Sequence, residues 1–320
     1  MRFSCFELMK TGALESLDVA EATKRWSAGD GAFWIDLDSY DAKELEKWLD
    51  GLDLRPFIKK RCLEIGKSTR LSLLSDCAYL EITVFSGDDN WNATDLGALC
   101  LNNLLITFHP HPIHNIDEIQ RSIDELQLED VSTSGLLIVL LLLHADKTAL
   151  ATRANRETVN AMDKRMDSDP EDVRLDEILA AKDAVSKVVV ASLEQREIFE
   201  ALPDEDTEAL DFSAYRTPMN QLISVIGAIN RQTDRLEKQV ADLRQRHAMI
   251  QQDKTNHRLA VLTVISAVFL PLSLMAGIWG MNFKNIPIVD LSFGYPIALG
   301  LMALVGGALI WFFYKRGWFD

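Results

Sequence analysis

The 320-residue sequence has only four cysteines, and their spacing fits no metal-binding pattern. Cys5, Cys62, Cys77 and Cys100 are therefore predicted to be small apolar core residues in a reducing compartment. The N-terminus lacks the apolar core of a signal peptide. The sequence also lacks HExxH, a Walker loop and a nucleophile with a base beside it, so we expect neither an enzyme nor a cofactor.

Basic residues are scarce, with 33 Lys and Arg against 48 Asp and Glu, for a net charge of -15. The stretch from residue 259 onward has a net charge of +1, which leaves about -16 on residues 1–258. Such an acidic surface repels nucleic acid and attracts cations, so nucleic acid is excluded as the main partner.

Charged residues are absent from two long apolar stretches, 259–283 and 291–314. Each exceeds the roughly 20 residues that a helix needs to cross the hydrocarbon core. We predict two transmembrane helices over these ranges, joined by an external loop at 284–290. The shorter apolar run at 136–143 is flanked by polar residues and is predicted to be the buried part of a soluble helix.

Basic residues flank the two predicted spans on one side of the bilayer. They are Arg244, Arg246, Lys254 and Arg258 before the first span, and Lys315 and Arg316 after the second. Positive residues stay on the cytoplasmic side. We therefore predict a multi-pass protein of the plasma (cell inner) membrane with both termini cytoplasmic, including the basic end 315–320.

Residues 1–130 alternate strand-like and helix-like patterns and are predicted to form a cytoplasmic α/β domain. The predicted strands are 32–38, 71–85 and 98–109, and the predicted helices are 41–52 and 113–127. Residues 131–216 are predicted to form a helical hairpin, with acidic stretches at 167–177 and 203–211.

A stalk helix is predicted over 217–258. Apolar and small polar residues recur there with spacings that alternate between 4 and 3: Leu222, Ile226, Ile229, Thr233, Leu236, Val240, Leu243, His247 and Ile250. A single helix from about 218 to 280 would be roughly 95 Å long. Since such a rod cannot bury this stripe alone, we predict a homo-oligomer in which the helices line an axis.

The first predicted span carries a second stripe, at steps of 3 or 4. It consists of Leu259, Leu262, Ser266, Leu270, Ser273, Gly277 and Gly280. Apolar, hydroxyl and glycine positions in one row suit a narrow water-filled path with hydrophobic constrictions. The alternative is that Ser and Gly merely let membrane helices pack closely.

The tripeptide Gly280-Met281-Asn282 lies at the outer end of this span. An Asn amide is costly in hydrocarbon unless it is satisfied, which points to water, an oligomer axis or a ligand. The segment GIWGMNF, followed by Pro287 and by the tetrapeptide 293–296 (FGYP), resembles the signature of the CorA family of divalent-cation channels. The likeness extends to the basic end YKRGW and, more loosely, to WIDLD and LITFH in the N-terminal domain.

This resemblance implies a CorA-like homopentameric funnel in the lipid bilayer, with a pore lined by the first span. Gly280, Met281 and Asn282 would form the external mouth, with Asn282 as an oxygen ring. The inward pore positions would be Gly277, Ser273, Leu270, Ser266, Leu262, Leu259 and Asn256, of which the leucines would be hydrophobic gates. The transported ion would be Mg2+, with Co2+ and Ni2+ as related ions.

Three departures from the family pattern affect this prediction. In the external link only Asp290 can help to collect cations, and Lys284 opposes it. Gln221 stands where Mg2+-gated relatives carry an acid, so we predict no cation site at that position. The family also has a zinc-transporting, ZntB-like branch, usually with a variant motif, and the intact Met281 favours Mg2+.

His109, His111 and His114 of the segment HPHPIH could form a zinc cluster, with His109 and His111 as the candidate metal ligands. The two prolines hold the segment extended, so neighbouring imidazoles should diverge, and a strand end that runs into a loop is the simpler interpretation. Two alternative functions stay open: a ZntB-like, proton-coupled Zn2+ transporter, and a non-conducting coiled-coil sensor or scaffold. A lipid-facing Asn282 would favour the scaffold.

Overall fold

The computed structural model describes residues 2–39, 41–66, 71–86, 91–126, 131–204, 207, 209–281 and 293–318. The chain divides into two compact units, a first unit of Met1–Leu243 and a second unit of Arg244–Asp320. The first unit holds the predicted α/β domain and helical hairpin, and the second holds both predicted spans.

A mixed β-sheet forms the centre of the first unit. Within the described residues it has seven strands, namely β1 (Arg2–Leu8), β2 (Leu14–Ser16), β3 (Phe33–Asp38), β4 (Leu71–Leu73), β5 (Cys77–Phe85), β6 (Ala93–Leu101) and β7 (Leu104–His109). Their order is β2-β1-β3-β7-β6-β5-β4. The β3–β7 pair is parallel, and the other neighbouring pairs are antiparallel.

Two of the predicted strands are each divided by a turn. The range 71–85 contains β4 and β5, and the range 98–109 contains the end of β6 and the whole of β7. The second division falls at Asn102 and Asn103, where Asn103 has φ of 57°. Asn tolerates this left-handed conformation better than most residues do, which suits it to a tight turn.

Helices cover both faces of the sheet. The helices on one face are α1 (Val19–Ser27), α2 (Ala42–Leu49) and α3 (Pro56–Leu63), and those on the other are α4 (Ile116–Glu125), α5 (Thr133–Ser168) and α6 (Leu175–Ala201). Side chains alternate along each strand, so β3 sends Phe33, Ile35 and Leu37 into the α1–α3 core and Trp34 into the α4–α6 core. This alternation decides which polar residues of a strand meet which helix.

The apolar run at 136–143 belongs to α5. Within the described residues, three helices are long and apolar enough to cross a membrane, and α5 is one of them. The most apolar 18-residue stretch of α5 is 72% buried. The corresponding stretches of the two helices that carry the predicted spans are 11% and 6% buried. The prediction of a buried soluble helix is confirmed, because residues 136–142 pack in the sheet core.

The long helix predicted over 218–280 is present as α7 (Arg216–Trp279). Its stripe from Leu222 to Leu243, however, is already buried within a single chain. Asn230 donates its side-chain amide to the backbone carbonyl of Ser192 on α6 at 3.1 Å. The inference that this stripe needs symmetry mates is therefore wrong from Leu222 to Leu243, because the helices of the same chain supply the missing surface.

The second unit contains the end of α7 and a final helix, α8 (Gly294–Lys315). Val264 and Val268 of α7 are buried, as is Gly306 of α8. A β-carbon at Gly306 would lie 3.5 Å from a methyl of Leu272, so the two helices pack at this glycine. Close approach at small residues is the usual way in which membrane helices pair.

Candidate ion pathway and a buried histidine cluster

The predicted pore residues form one exposed face of α7 in the second unit. Leu259, Leu262 and Leu270 are 55%, 60% and 76% exposed in the single chain. The other members of the face that the structure describes are also exposed: Asn256, Ser266, Ser273, Gly277, Gly280 and Met281. This row of apolar and small polar side chains is uncovered along its whole length.

The opposite face of α7 contacts α8. The buried residues Val264 and Val268 are two positions away from Ser266, which is about 200° around the helix at 100° per residue. The second span therefore packs behind the predicted pore face and leaves that face free. A free face of this kind can meet lipid or other copies of the chain.

The chain beyond the C-terminal end of α7 is described as far as Met281. The backbone N–H of Gly280 donates to the carbonyl of Ala276 at 2.9 Å, which continues the helical bonding. A β-carbon at Gly280 would lie 3.1 Å from that same carbonyl oxygen, so a larger residue would have to displace backbone. Asn282, the loop 284–290 with Pro287, and Asp290 lie outside the described residues.

The polar residues of WIDLD and LITFH come together in the first unit. In the parallel β3–β7 pair, Asp36 is in register with Thr107, and Asp38 with His109. Alternation places Asp36, Thr107 and His109 on the same face of the sheet as Trp34, the face that α5 covers. Two patterns that begin 71 residues apart in the sequence thus form one site.

One oxygen of Asp36 is the centre of this cluster. Its Oδ1 atom lies 2.9 Å from Nε2 of His109 and 2.9 Å from Nδ1 of His114. It also accepts a hydrogen bond from the Thr107 hydroxyl, which in turn accepts from the indole N–H of Trp34 at 2.9 Å. The carboxylate is thereby fixed in position among three donors.

The two imidazoles have further partners. Nδ1 of His109 lies 2.6 Å from the backbone carbonyl oxygen of His111, and Nε2 of His114 lies 3.2 Å from Nε2 of His144 on α5. The rings of His109 and His114 are perpendicular, with centroids 5.0 Å apart. The side chain of His111 is exposed, so that residue contributes only its carbonyl.

Burial and neighbouring groups together set the protonation states of Asp36 and His144. Burial alone would raise the pKa of the Asp36 carboxyl, but the charges and hydrogen bonds of His114 and His109 hold it well below its usual range. Burial, reinforced by the charges of His114 and Lys147, holds the pKa of His144 well below its ordinary value. Asp36 is therefore ionised and His144 neutral at pH 7.

Sequence analysis found only part of this cluster. The HPHPIH segment includes His109 and His114, but Asp36 and His144 carry no sequence prediction, and His111 lies outside the group. The expectation that the imidazoles diverge fails for His109 and His114, because the chain turns after the strand and brings His114 back over Asp36. The available signal was the alternation, which puts Asp36 and His109 on one sheet face.

Comparison with known proteins gives the family. The model of the family described as "CorA-like Mg2+ transporter protein" matches residues 29–316. A putative metal ion transporter of Bacillus subtilis, YfjQ, is 43% identical over 81 residues, 25% of each chain. The cobalt/magnesium transport protein CorA of Thermotoga maritima is 39% identical over 66 residues, 21% of this chain and 19% of the relative. These matches span only a quarter or less of the relatives' length.

Solved structures agree in fold. The chain resembles the complete CorA magnesium transporter of Methanocaldococcus jannaschii with a TM-score of 0.79 at 16% identity, over 99% of both chains. It also resembles the ZntB cytoplasmic domain of Vibrio parahaemolyticus with a TM-score of 0.60 at 14% identity, over 78% of this chain and 98% of that one. The predicted α/β domain, long helix and two C-terminal apolar helices are confirmed, and so is the family resemblance, whereas the homopentamer stays a prediction.

The family match covers most of the chain, including α7, α8 and the strands β3 and β7 that hold the histidine cluster. The prediction that the chain is not an enzyme is also confirmed, since the family transports ions. This protein is a member of the CorA family, whose model is described as a CorA-like Mg2+ transporter protein.

Proposed function

We propose that this chain is a passive Mg2+ channel of the cell inner membrane, which works as a homopentamer with both termini in the cytoplasm. The observation that carries the proposal is the free face of α7. Because α8 covers the side that holds Val264 and Val268, the row from Leu259 to Gly280 is available to line an axis. Two spans in one chain cannot enclose a pore, so several copies must contribute this row.

The order of side chains along the row suits a gated path for a hydrated ion. Leu259, Leu262 and Leu270 would narrow the path with apolar rings, which close a pore by excluding water. Ser266 would offer a hydroxyl oxygen between the rings of Leu262 and Leu270, and Ser273 would offer one beyond Leu270. Gly277 would leave room near the mouth, since nothing lies within 4 Å of a β-carbon placed there.

At the external mouth, Asn282 would present a ring of neutral amide oxygens. Mg2+ gives up its water reluctantly and prefers oxygen ligands, so a neutral ring can receive the ion with part of its hydration shell. The net charge of about -16 on residues 1–258 would attract cations on the cytoplasmic side. No covalent chemistry is needed, because the electrochemical gradient moves the ion.

The experiment that tests this function is ion flux into proteoliposomes. Entry of Mg2+, Zn2+, Co2+ and Ni2+ would be compared with and without a proton gradient, and native mass spectrometry would count the subunits. We expect Mg2+ entry that ignores the proton gradient, and five subunits.

Other results would contradict the proposal in distinct ways. Zn2+ entry that needs protons would identify a ZntB-like transporter. No flux of any cation through well-folded oligomers would identify a non-conducting scaffold.

A further inference from the structure

The buried histidine cluster has no part in the ion pathway proposed above, because it belongs to the first unit and the pore face to the second. We propose that Asp36, His109 and His114 bind one transition-metal ion of the Zn2+ class. The ligand atoms are Oδ1 of Asp36, Nε2 of His109 and Nδ1 of His114. These three residues form a group whose ligand atoms all lie within 4.8 Å of one another.

The distances within the group fit a small tetrahedral ion. Oδ1 of Asp36 is 2.9 Å from each of the two ring nitrogens. Zinc bonds of 2.0–2.1 Å at tetrahedral angles place neighbouring ligand atoms about 3.3 Å apart. Insertion of the ion therefore requires each nitrogen to move by about 0.4 Å from the carboxylate oxygen, which side-chain adjustment can supply.

The surroundings of the ligands resemble those of established metal sites. A metal-bound imidazole usually donates its second N–H to a carbonyl, a carboxylate or water, which fixes the ring. Nδ1 of His109 has the His111 carbonyl for this purpose, and Nε2 of His114 has the neutral Nε2 of His144. The Thr107 hydroxyl holds the Asp36 oxygen in the same way. All three ligands are thus oriented by second partners before any ion arrives.

The polar neighbours of the His109 ring suit a bound cation. Both of them, the Asp36 carboxylate and the His111 carbonyl, present oxygen atoms to the ring nitrogens. A divalent cation bound to Nε2 would lie beside the carboxylate, while the bond from Nδ1 to the carbonyl stays in place.

The chemistry of the ligands selects the ion. Two imidazole nitrogens and one carboxylate oxygen suit Zn2+, Co2+ and Ni2+, whereas Mg2+ prefers an all-oxygen shell with several waters. Both imidazoles and Asp36 are almost fully buried, with side chains 1%, 3% and 9% exposed. The site would therefore distinguish zinc-like ions from Mg2+, whichever ion the chain transports.

The test uses the full chain in detergent, stripped of metal with a chelator that is then removed. Zn2+ would be titrated in competition with a chromogenic zinc chelator, and Co2+ binding would be followed by its visible absorption bands. We expect one tight Zn2+ per chain that a thousandfold excess of Mg2+ does not displace. The X-ray absorption spectrum of the Zn2+-loaded protein should show two imidazole ligands. Absence of tight Zn2+, or a spectrum without imidazole, would overturn the proposal.

Variants locate the ion. We expect His109→Gln and His114→Asn each to weaken Zn2+ binding at least about a hundredfold, and the matched control His111→Asn to leave it unchanged. Circular dichroism and size-exclusion chromatography would check folding. If a ligand variant unfolds, the X-ray absorption spectrum of the Zn2+-loaded unaltered chain decides whether imidazoles bind the ion. Unchanged binding in both ligand variants, or an equal loss in the control, would overturn the assignment. None of these measurements depends on transport.

Discussion

Asn230 of α7 and Ser192 of α6 are joined by two hydrogen bonds deep in the first unit. The Asn230 amide donates to the Ser192 backbone carbonyl at 3.1 Å, and the Ser192 hydroxyl donates to the Asn230 side-chain oxygen at 3.3 Å. Both residues are buried in the single chain. The stripe from Leu222 to Leu243, which Asn230 adjoins, is therefore part of an intrachain core. A substitution in this stripe should alter the stability of the single chain.

Truncation within this stripe should affect stability without changing the subunit number. Ile226 is fully buried, so Ile226→Ala should lower the free energy of unfolding by about 2–5 kcal/mol through lost contacts and a cavity. Thermal unfolding followed by tryptophan fluorescence and native mass spectrometry would measure both properties. The half-exposed Met249, mutated to Ala, is the control. A changed subunit number for Ile226→Ala at full stability would contradict the intrachain assignment.

Removal of the Asp36 charge should destabilise the sheet core. Asp36→Asn keeps the shape of the side chain but leaves His109 and His114 facing an amide, and the loss of an acceptor from a buried hydrogen-bond network typically costs about 1–3 kcal/mol. We expect a lower melting temperature at pH 7 in the metal-free protein. Asp234→Asn, on an exposed face of α7, should leave it unchanged. Equal melting temperatures for Asp36→Asn and the unaltered chain would show that the pair is not stabilising.

The cysteines should be inert in the folded protein. All four are buried and free. Burial raises the pKa of Cys5 to about 11 and the pKa of both Cys62 and Cys100 to about 12. Because the thiolate is the reactive form, a pKa near 12 leaves only about one part in ten thousand reactive at pH 8.

A thiol-specific chromogenic disulfide would measure this reactivity. We expect no fast reaction at pH 8 and four equivalents after denaturation, and an exposed thiol introduced by Met249→Cys should react at once. Rapid labelling of a native cysteine would contradict the buried positions.

Asn282→Ala should abolish Mg2+ flux while the oligomer stays intact, because the amide ring at the mouth would be lost. Flux into proteoliposomes and native mass spectrometry measure the two properties. Asn285→Ala, which removes the same amide a few residues further along, is the control. Flux at the normal rate in the Asn282 variant would refute the pore assignment.

A polar residue at an apolar ring should open the path. Leu270 is 76% exposed on the proposed pore face, and Leu270→Ser would let water wet the constriction. We expect Mg2+ leak to rise several-fold in the proteoliposome assay. Leu304→Ser changes an equally large residue of α8, 68% exposed, and should have no such effect. An unchanged leak in Leu270→Ser would place the gate elsewhere.

The sequence predicted the parts of this molecule that depend on local patterns. The buried α5 run and the long α7 helix both follow from hydrophobic periodicity and charge, which a single segment displays. The pore-lining role of the row from Leu259 to Gly280 stays a prediction. The sequence predicted that the stripe from Leu222 to Leu243 is buried, but it assigned the covering surface to other subunits. Periodicity shows that a stripe is buried and does not show which chain covers it.

The histidine cluster depends on pairing between distant segments. Asp36 meets His109 only because β3 and β7 are parallel neighbours, and His114 joins them only through the turn after β7. No local pattern encodes that pairing. The alternation along each strand shows which residues share one face of that strand. The order of strands in the sheet then decides which of these residues meet those of another strand.

The parallel pairing of β3 with β7 also sets an order for folding during synthesis. Two α-helices and three strands separate β3 from this neighbour along the chain. Until Leu104–His109 has left the ribosome, β3 has an open edge, and Asp36 lacks the side-chain partners that this strand brings. Strand edges of this kind favour misassembly and aggregation. We therefore expect nascent chains that end before β7 to be the stage at which this protein most needs a chaperone.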